Sequence, residues 1–333
     1  MKKLFLAGDV GGTKTILALY SPDHGPDRSL EETTFPSNDY VSLEEVLQAF
    51  LAGKNASVAR ASIGVAGPIR GSQAHVTNLP WVVDTSSISQ AIGGSPVHLL
   101  NDLEAIAYAV PSLAPTDLET LNPGEPEAHG ALGVIAPGTG LGESFLVWIG
   151  NHHVPQPSEG GHSNFAPSTL IEVELLRYLM HRFDHISHER VCSGMGLPNL
   201  YTFLRDTQRY TEPELLREKL ARAPDPTPLI IHAAIAGKME ICVETLNLFV
   251  SILGSEAGNL ALKVMATGGL YLGGGIPPRI LPYLKQAAFL RAFTNKGRFA
   301  EMLSKIPVHV ILHPQAGLFG AACHVLGWQP EEV

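Results

Sequence analysis

One stretch constrains this chain more than any other: its first twenty residues, MKKLFLAGDVGGTKTILALY. Leu4 to Ala7 read as a buried apolar strand, Gly8 to Thr13 as a glycine-rich turn, and Thr15 to Tyr20 as a second apolar, β-branched strand. Strand, Gly11-Gly12 turn and strand make a hairpin. The two familiar glycine loops for nucleotides both run from a strand into a helix, and the spacing Gly8-Asp9-Val10-Gly11-Gly12-Thr13 matches neither. Glycines without side chains still let backbone N–H groups approach a phosphate without a helix terminus. Asp9, ending the first strand, could hold a magnesium ion that accompanies ATP, directly or through water. Taken alone, the stretch reads first as an ordinary hairpin with an Asp beside its turn.

A second stretch, LGVIAPGTGLGESFLVWIG (132–150), repeats the pattern, with Gly138-Thr139-Gly140-Leu141-Gly142 between apolar strands. Two such hairpins in two halves of a chain suggest related domains holding one polyphosphate. A third cluster, ATGGLYLGGGIPP (266–278), is strand-like between its glycines and could wrap an adenosine. The three segments resemble the phosphate-one, phosphate-two and adenosine motifs of the actin, chaperone-ATPase and sugar-kinase superfamily. Within it, the chain resembles the bacterial glucokinase family from end to end. That resemblance implies an α/β fold of two actin-like (ribonuclease H-like) domains facing each other across a cleft. It assigns ATP contacts to Gly8, Asp9, Val10, Gly11, Gly12, Thr13 and Lys14, to Gly138, Thr139 and Gly140, and to Gly268, Gly269, Gly273, Gly274 and Gly275. Magnesium would be held at Asp9.

Composition narrows the class. The 333 residues suffice for two domains and a sizeable core, with 45% hydrophobic and 17% charged residues. A mean hydropathy of +0.11 fits a compact globular chain. The net charge of −9 and the lack of a basic block argue against nucleic acid as a partner. Cys192, Cys242 and Cys323 are too scattered for a disulfide framework and suit a reducing compartment. Lys2-Lys3 before Leu4-Phe5-Leu6 mimics a signal peptide, but Asp9 and the glycines end that run too early. No stretch reaches about eighteen uninterrupted apolar residues, so no membrane span is expected. A cytoplasmic protein is expected.

The stretch SPVHLLNDLEAIAYAV reads as a strand over Pro96–Leu100 followed by a helix from Leu103, leaving Asn101 and Asp102 at the junction. The plain account is that Asn101 caps the helix, with Asp102 and Glu104 favoured near its positive end. The sharper account adds that Asn-Asp matches the motif supplying the base in sugar kinases, with a helix N-terminus holding the carboxylate ionised. By resemblance Asp102 is the catalytic base, and glucose is contacted by Asn78, Asn101, Asp102, Glu159, His162 and Glu189. Alone, Asn78 would be a turn asparagine. Glu159-Gly160-Gly161-His162 would be a polar glycine turn, since its glycines oppose the helical Glu-x-x-His of a metal site. His181, His185 and His188 read as helix-surface histidines.

Elsewhere Ser42 caps a helix from Leu43 to about Ala52, EETTFPS is an edge strand, and Arg60–Ile69 is a buried strand. The Pro-, Glu- and Gly-rich segment after Val110 reads as a surface connection, placing a domain boundary near residue 112. The expected division is 1–112 plus 312–333, carrying the first hairpin and Asn-Asp, and 113–311, carrying the second hairpin, the sugar loop and the adenosine motif. From Pro224 the chain is mainly helical, Gly254 and Gly258 mark close packing, and the last strand and helix cover IPVHVILHP and Gln315 to about Gly327.

The resemblance implies ATP-dependent phosphorylation of glucose at its 6-hydroxyl, with a homodimer left open. Departures are Lys14, typical of the neighbouring kinase family, and Pro137 and Glu143-Ser144 around the second turn. That neighbouring family of open reading frames, repressors and kinases also has Glu-Gly-Gly-His, but its histidine binds zinc with a cysteine cluster. With scattered cysteines no zinc site is expected here. The alternatives are a kinase for another hexose or an N-acetylated amino sugar, a sugar-responsive regulator without catalysis, and a polyphosphate-using kinase. No DNA-binding helix-turn-helix precedes the first hairpin, and no basic channel for the polymer is visible.

Overall fold

The computed structural model describes residues 3–54 and 56–327, which fall into two compact units. The first comprises the described residues of Met1–Ala114 and His313–Val333, the second Pro115–Leu312.

The first unit is built on β1 (Lys3–Val10), β2 (Lys14–Tyr20), β3 (Glu31–Pro36), α1 (Leu43–Leu51) and β4 (Ser57–Val65). A small three-stranded sheet of β5 (Ile69–Arg70), β6 (Gln73–His75) and β7 (Val82–Asp84) precedes α2 (Thr85–Ala91), β8 (Val97–Asn101) and α3 (Asp102–Ala109). The main sheet has the order β3-β2-β1-β4-β8. The β1–β2 and β2–β3 pairs are antiparallel, and β1–β4 and β4–β8 are parallel. Strand periodicity divides the side chains between two cores. Leu4, Leu6, Leu17 and Leu19 face α1 through Val46, Leu47 and Phe50. Ala7, Ile16, Ala18 and Tyr20 face the C-terminal helix Ala316–Gly327 through Leu318, Ala321 and Val325. A central strand covered on both faces must be apolar throughout, as β1 is until Asp9.

The second unit contains β9 (Leu118–Asn122), β10 (Leu132–Pro137), β11 (Leu141–Ile149), β12 (His152–Ser158), α4 (Leu170–Met180) and α5 (Gly196–Asp206). After α6 (Glu214–Arg222), α7 (Thr227–Ile235) and α8 (Glu240–Val264) come β13 (Gly269–Leu272) and β14 (Val308–Ile311). Its sheet order, β12-β11-β10-β13-β14-β9, repeats the first: an antiparallel meander, then two later strands added in parallel, one beyond the other, beside its first strand. β9 adds an antiparallel edge beside β14. The segment around β9 therefore corrects the expectation of a plain surface connection, because residues near the far end of the chain supply its partner.

The 25-residue α8 is long and apolar enough to cross a membrane by composition, yet 78% of its most apolar window is buried in the protein. It is the core helix of this unit. A Cβ on Gly254 or Gly258 would lie 2.4 Å from the Phe289 or Phe293 carbonyl oxygen, so these glycines let helix Ala287–Thr294 rest on α8. Lys296 is fixed on the same surface, donating from Nζ to Ser255 Oγ at 3.1 Å. That contact gives Lys296 a packing role.

Ser42 caps α1, accepting from Glu45 N at 3.4 Å. The tightest approach in the first unit is between the C-terminal helix and α3, where a Cβ on Gly320 would stand 1.6 Å from the Ala105 carbonyl oxygen. The obstacle is backbone and cannot rotate away. Gly320→Ala should therefore destabilise the protein by about 3 kcal/mol, the top of the usual overpacking range. A fall in the urea-unfolding midpoint of the purified variant checks this; an unchanged midpoint contradicts the packing described.

Candidate active site

In the first unit, the candidate residues gather at the C-terminal end of β1. The turn between β1 and β2 is short, with Gly11 N donating to Lys14 O at 3.0 Å. Ser37 pins it from outside: its N–H donates to Thr13 O at 3.0 Å, and its hydroxyl donates to Gly11 O at 2.8 Å. A Cβ on Gly12 would sit 2.9 Å from Thr77 O and 3.3 Å from Asn78 Cβ, so the missing side chain lets the Asn78 loop close onto the turn. Asn78 holds a left-handed φ of 67°, which asparagine tolerates better than most residues. Its exposed side chain thus stands beside the glycine turn.

Asp9 and Asp102 influence each other at this same end. The Asp9 carboxyl has its pKa pushed up to about 6, first by burial, then by the negative charge of Asp102, with Lys14 pulling it down. The start of the C-terminal helix lies over it: a Cβ on Gly317 would be 3.2 Å from its carboxylate. A recessed carboxylate carrying excess negative charge fits a divalent cation, and magnesium commonly takes one or two carboxylates plus phosphate oxygens.

Asn101 does cap α3, its Oδ1 accepting from Glu104 N at 2.6 Å, which leaves its amide N–H₂ as the group free to meet a ligand. Asp102 accepts from Leu103 N at 3.0 Å. That bond lowers its pKa, but burial outweighs it and the net shift is upward. Asp102 is exposed by surface area, yet enough protein surrounds it for burial to be the largest influence on its pKa. Lost hydration and the helix-end hydrogen bond thus oppose each other at Asp102, with the net shift upward. A raised pKa makes Asp102 a better proton acceptor in its ionised form.

In the second unit, the Gly138–Gly140 turn joins β10 to β11, with Gly138 N donating to Gly140 O at 2.9 Å. The Gly138 and Thr139 carbonyls accept from Gly194 and Met195 N–H groups at 2.8 and 3.1 Å. Gly273–Gly275 arrive at the same place from β13: Gly273 N donates to Ile135 O at 2.9 Å and Ile276 N to Pro137 O at 3.2 Å. Gly274, with φ of 79°, has Pro137 O only 2.6 Å from where its Cβ would be. Gly268 and Gly269 are elsewhere. They start β13, where Gly269 is level with Leu132, the first residue of β10, and Gly268 packs against the Gly130 carbonyl. A strand apart from Gly138, they serve packing and do not join the phosphate turn.

The sugar-loop residues lie close by. Gly160–His162 form one turn of 3₁₀ helix. Gly161 rests directly on β11, since a Cβ on it would meet Leu141 O at 2.1 Å. A backbone ladder aligns this loop with 186–189: Phe165 N to Ile186 O at 2.9 Å, His188 N to Ser163 O at 3.0 Å and Glu189 N to Gly161 O at 2.9 Å. Glu189 Oε2 then accepts from Leu141 N at 3.0 Å, over Gly140. His162 lies 3.9 Å from both Glu159 Oε2 and Glu189 Oε1.

A hollow of about 380 Å³ is lined by His162 and Glu189, together with Ser187 and Arg190, which the sequence reading did not single out. The Glu159 side chain is 91% exposed, held by no neighbour closer than His162 among the contacts described. A second hollow of about 220 Å³, beside Glu172 and Tyr210, contains none of the candidate residues. His185 and His188 part company, bonding Asn164 at 2.8 Å and Glu256 at 2.8 Å respectively. Among the described residues, no group of three or more His, Cys, Asp or Glu could hold a metal ion.

Comparison with known proteins finds matches that extend over nearly the whole chain. The family model described as Glucokinase matches residues 6–327. A glucokinase of Nostoc punctiforme is 42% identical over 335 residues, covering 96% of this chain and 98% of the relative. The crystal structure of a glucokinase from an Antarctic psychrotroph superposes with a TM-score of 0.85 at 32% identity, covering 98% of this chain and 99% of that one. At 21% identity, the ROK family glucokinase from Streptomyces griseus, in complex with glucose and AMPPNP, shares the fold with a TM-score of 0.62 over 96% and 98% of the two chains. The protein belongs to the glucokinase family.

Proposed function

We propose that this protein transfers the γ-phosphoryl group of ATP to the 6-hydroxyl of glucose, an ATP:D-glucose 6-phosphotransferase acting in the cytoplasm. One observation in the first unit carries the chemistry: a glycine turn, Asp9 and the raised-pKa carboxyl of Asp102 meet at one end of a sheet. A phosphate cradle and a proton acceptor are the two protein parts that phosphoryl transfer to an alcohol requires. The binding of glucose and AMPPNP by the Streptomyces griseus relative supports both ligands.

In this reading, the N–H groups of Gly12 and Thr13 and of Thr139 and Gly140 hold phosphates, Gly11 and Gly138 close the two turns through their own N–H groups and leave room for the phosphates, and Gly273, Gly274 and Gly275 leave room for the adenosine. Lys14 adds a positive charge on the phosphate side. Asp9 would hold magnesium, directly or through water, and that ion would neutralise phosphate charge when bound. Asn78, Asn101, Glu159, His162 and Glu189 hold the sugar hydroxyls. A wrong sugar then leaves polar groups unpaired, which is the most effective source of discrimination. Asp102 accepts the hydroxyl proton as the oxygen attacks the phosphorus. Family members that prefer another hexose or an amino sugar would differ in these hydroxyl contacts, so sugar choice is decided by assay.

Three outcomes test the reading. A coupled assay of ADP formation across a panel of sugars, with ATP and polyphosphate as alternative donors, should show glucose with ATP as the preferred pair. Preference for another hexose would revise the substrate, and polyphosphate use would revise the donor.

Asp102→Asn keeps the shape but cannot take the proton, so kcat should fall at least ~10² with the KM for ATP nearly unchanged. A stable variant within about threefold of wild type would remove Asp102 from the mechanism. Because the base must be ionised, protonation on acidification disables it. With its pKa raised, the acid limb of kcat/KM should lie above the ordinary carboxylate value of about 4, and the residual activity of Asp102→Asn should lack that limb.

Gly140→Ala would place a Cβ 2.4 Å from Glu189 Oε2 and push that carboxylate off Leu141 N. Loss of one charged hydrogen bond should raise the KM for glucose about tenfold. Steady-state kinetics at saturating ATP check it; an unchanged KM for glucose would detach Glu189 from sugar binding.

A further inference from the structure

Beneath the sugar loop lies a cluster of buried ionisable side chains for which the proposed reaction has no use. Glu143 on β11 is 1% exposed, Glu256 on α8 is 0% exposed and His188 is 3% exposed. Glu143 interrupts an otherwise apolar buried strand, and Glu256 the buried centre of α8, so each is retained against the cost of lost hydration.

Glu143 and Glu256 are electrostatically coupled, and two buried carboxylates so placed disfavour carrying charge together, so one of them holds a proton. Glu256 has the charge-stabilising partners: His188 Nε2 at 2.8 Å, Asn259 Nδ2 at 2.8 Å and Lys263 Nζ at 3.5 Å. No donor reaches Glu143 Oε1 among the described residues. The proton therefore resides on Glu143, and Glu256 is the carboxylate. Burial and the charge of Glu256 agree, pushing Glu143 up to about 8, while Glu256 is held below its ordinary value. The other groups electrostatically linked to the cluster are Cys192, whose thiol is pushed up by burial and by both carboxyls, and Lys296, whose ammonium is pushed down by burial while Glu256 and Glu172 pull it up.

The cluster touches the sugar loop at two points. A Cβ on Gly160 would stand 2.0 Å from Glu143 Oε2, so the Glu143 carboxyl fills the space beneath that glycine. His188 precedes Glu189 in the chain, and its N–H pairs with Ser163 O. The loop side of the ladder that sets Gly161 against Glu189 thus rests on Glu143, and the other side on His188 and its partner Glu256.

We propose that Glu143 is a positioning residue for sugar binding: its protonated carboxyl, seated under Gly160 in the same buried cluster as Glu256, holds the 160–162 loop and Glu189 in register, and its ionisation releases them. This rests on the assignment of His162 and Glu189 to the sugar under the proposed function. Above the Glu143 pKa, two carboxylates would be in contact in a buried site, and repulsion moves Glu143 out of its seat. Sugar affinity should therefore weaken in the alkaline range while nucleotide affinity stays constant.

The test combines backbone exchange with kinetics on wild type, Glu143→Gln and Glu143→Ala between pH 6.5 and 9.5, a window of about 1.5 units on either side of the group's pKa. Glutamine keeps the shape and a donor toward Glu256 but cannot ionise; alanine removes both. In wild type, the protection factors of the His162, Ser163 and Glu189 amides should fall about tenfold above pH 8, with the KM for glucose rising in parallel and the KM for ATP flat. Glu143→Gln should match wild type at pH 7 and lose the alkaline change in both readouts. Glu143→Ala should have low protection and a raised KM for glucose at every pH.

An alkaline loss that persists in Glu143→Gln, or amide protection that is flat in wild type, overturns the inference. Exchange is read without sugar, so it decides the loop claim even if wild type proves not to phosphorylate glucose. That second result would instead overturn the proposed function.

Discussion

Everything else in this protein depends on a glycine turn placed at the end of a central, fully buried strand. β1 and β10 are each covered on both sides by neighbouring strands, and each ends at a turn whose glycines carry no side chain to keep other groups away. In the first unit, that absence admits the Asn78 loop beside Gly12 and the C-terminal helix over Asp9. In the second, it admits Glu189 over Gly140 and the β13 glycines against Pro137. Two antiparallel meanders followed by parallel strands thus produce the same feature twice. A buried sheet supplies rigidity, and its bare turn supplies backbone donors.

Much of this was legible from local sequence. The hairpins follow from apolar runs broken by glycine, and the caps at Ser42 and Asn101 from short polar side chains preceding helical spacing. Gly254 and Gly258 read as close-packing positions because glycine inside a long helix needs a neighbour to justify it. These signals span a few residues, and the physics that decides them is equally local.

What escaped depends on distant partners. β9 is a strand because β14 offers it an edge, and nothing within Leu118–Asn122 announces that pairing. Gly268 and Gly269 share a glycine-rich stretch with Gly273–Gly275, but the intervening strand carries the two groups to opposite ends of the sheet. Ser37 clamps the first turn from just beyond the end of β3. The direction of the Asp102 shift turned on how much hydration the fold removes, which a helix-end argument cannot measure. The Glu143–Glu256–His188 cluster had a faint signal, two acids inside apolar runs, but its meaning required three distant segments to meet.

Function is legible at the level where local motif and global fold coincide. Two glycine turns, a carboxylate at a strand-to-helix junction and membership of the glucokinase family converge on transfer of a phosphoryl group to a sugar alcohol. The finer claim is positional: the oxygen that attacks is the one presented to Asp102. The most direct measurement is product analysis by phosphorus–proton correlation NMR of a reaction with glucose and ATP. The account predicts one ADP per phosphorylated sugar, with the phosphorus coupled to the protons on carbon 6. Coupling to the anomeric proton, or ADP released without a phosphorylated sugar, would contradict it.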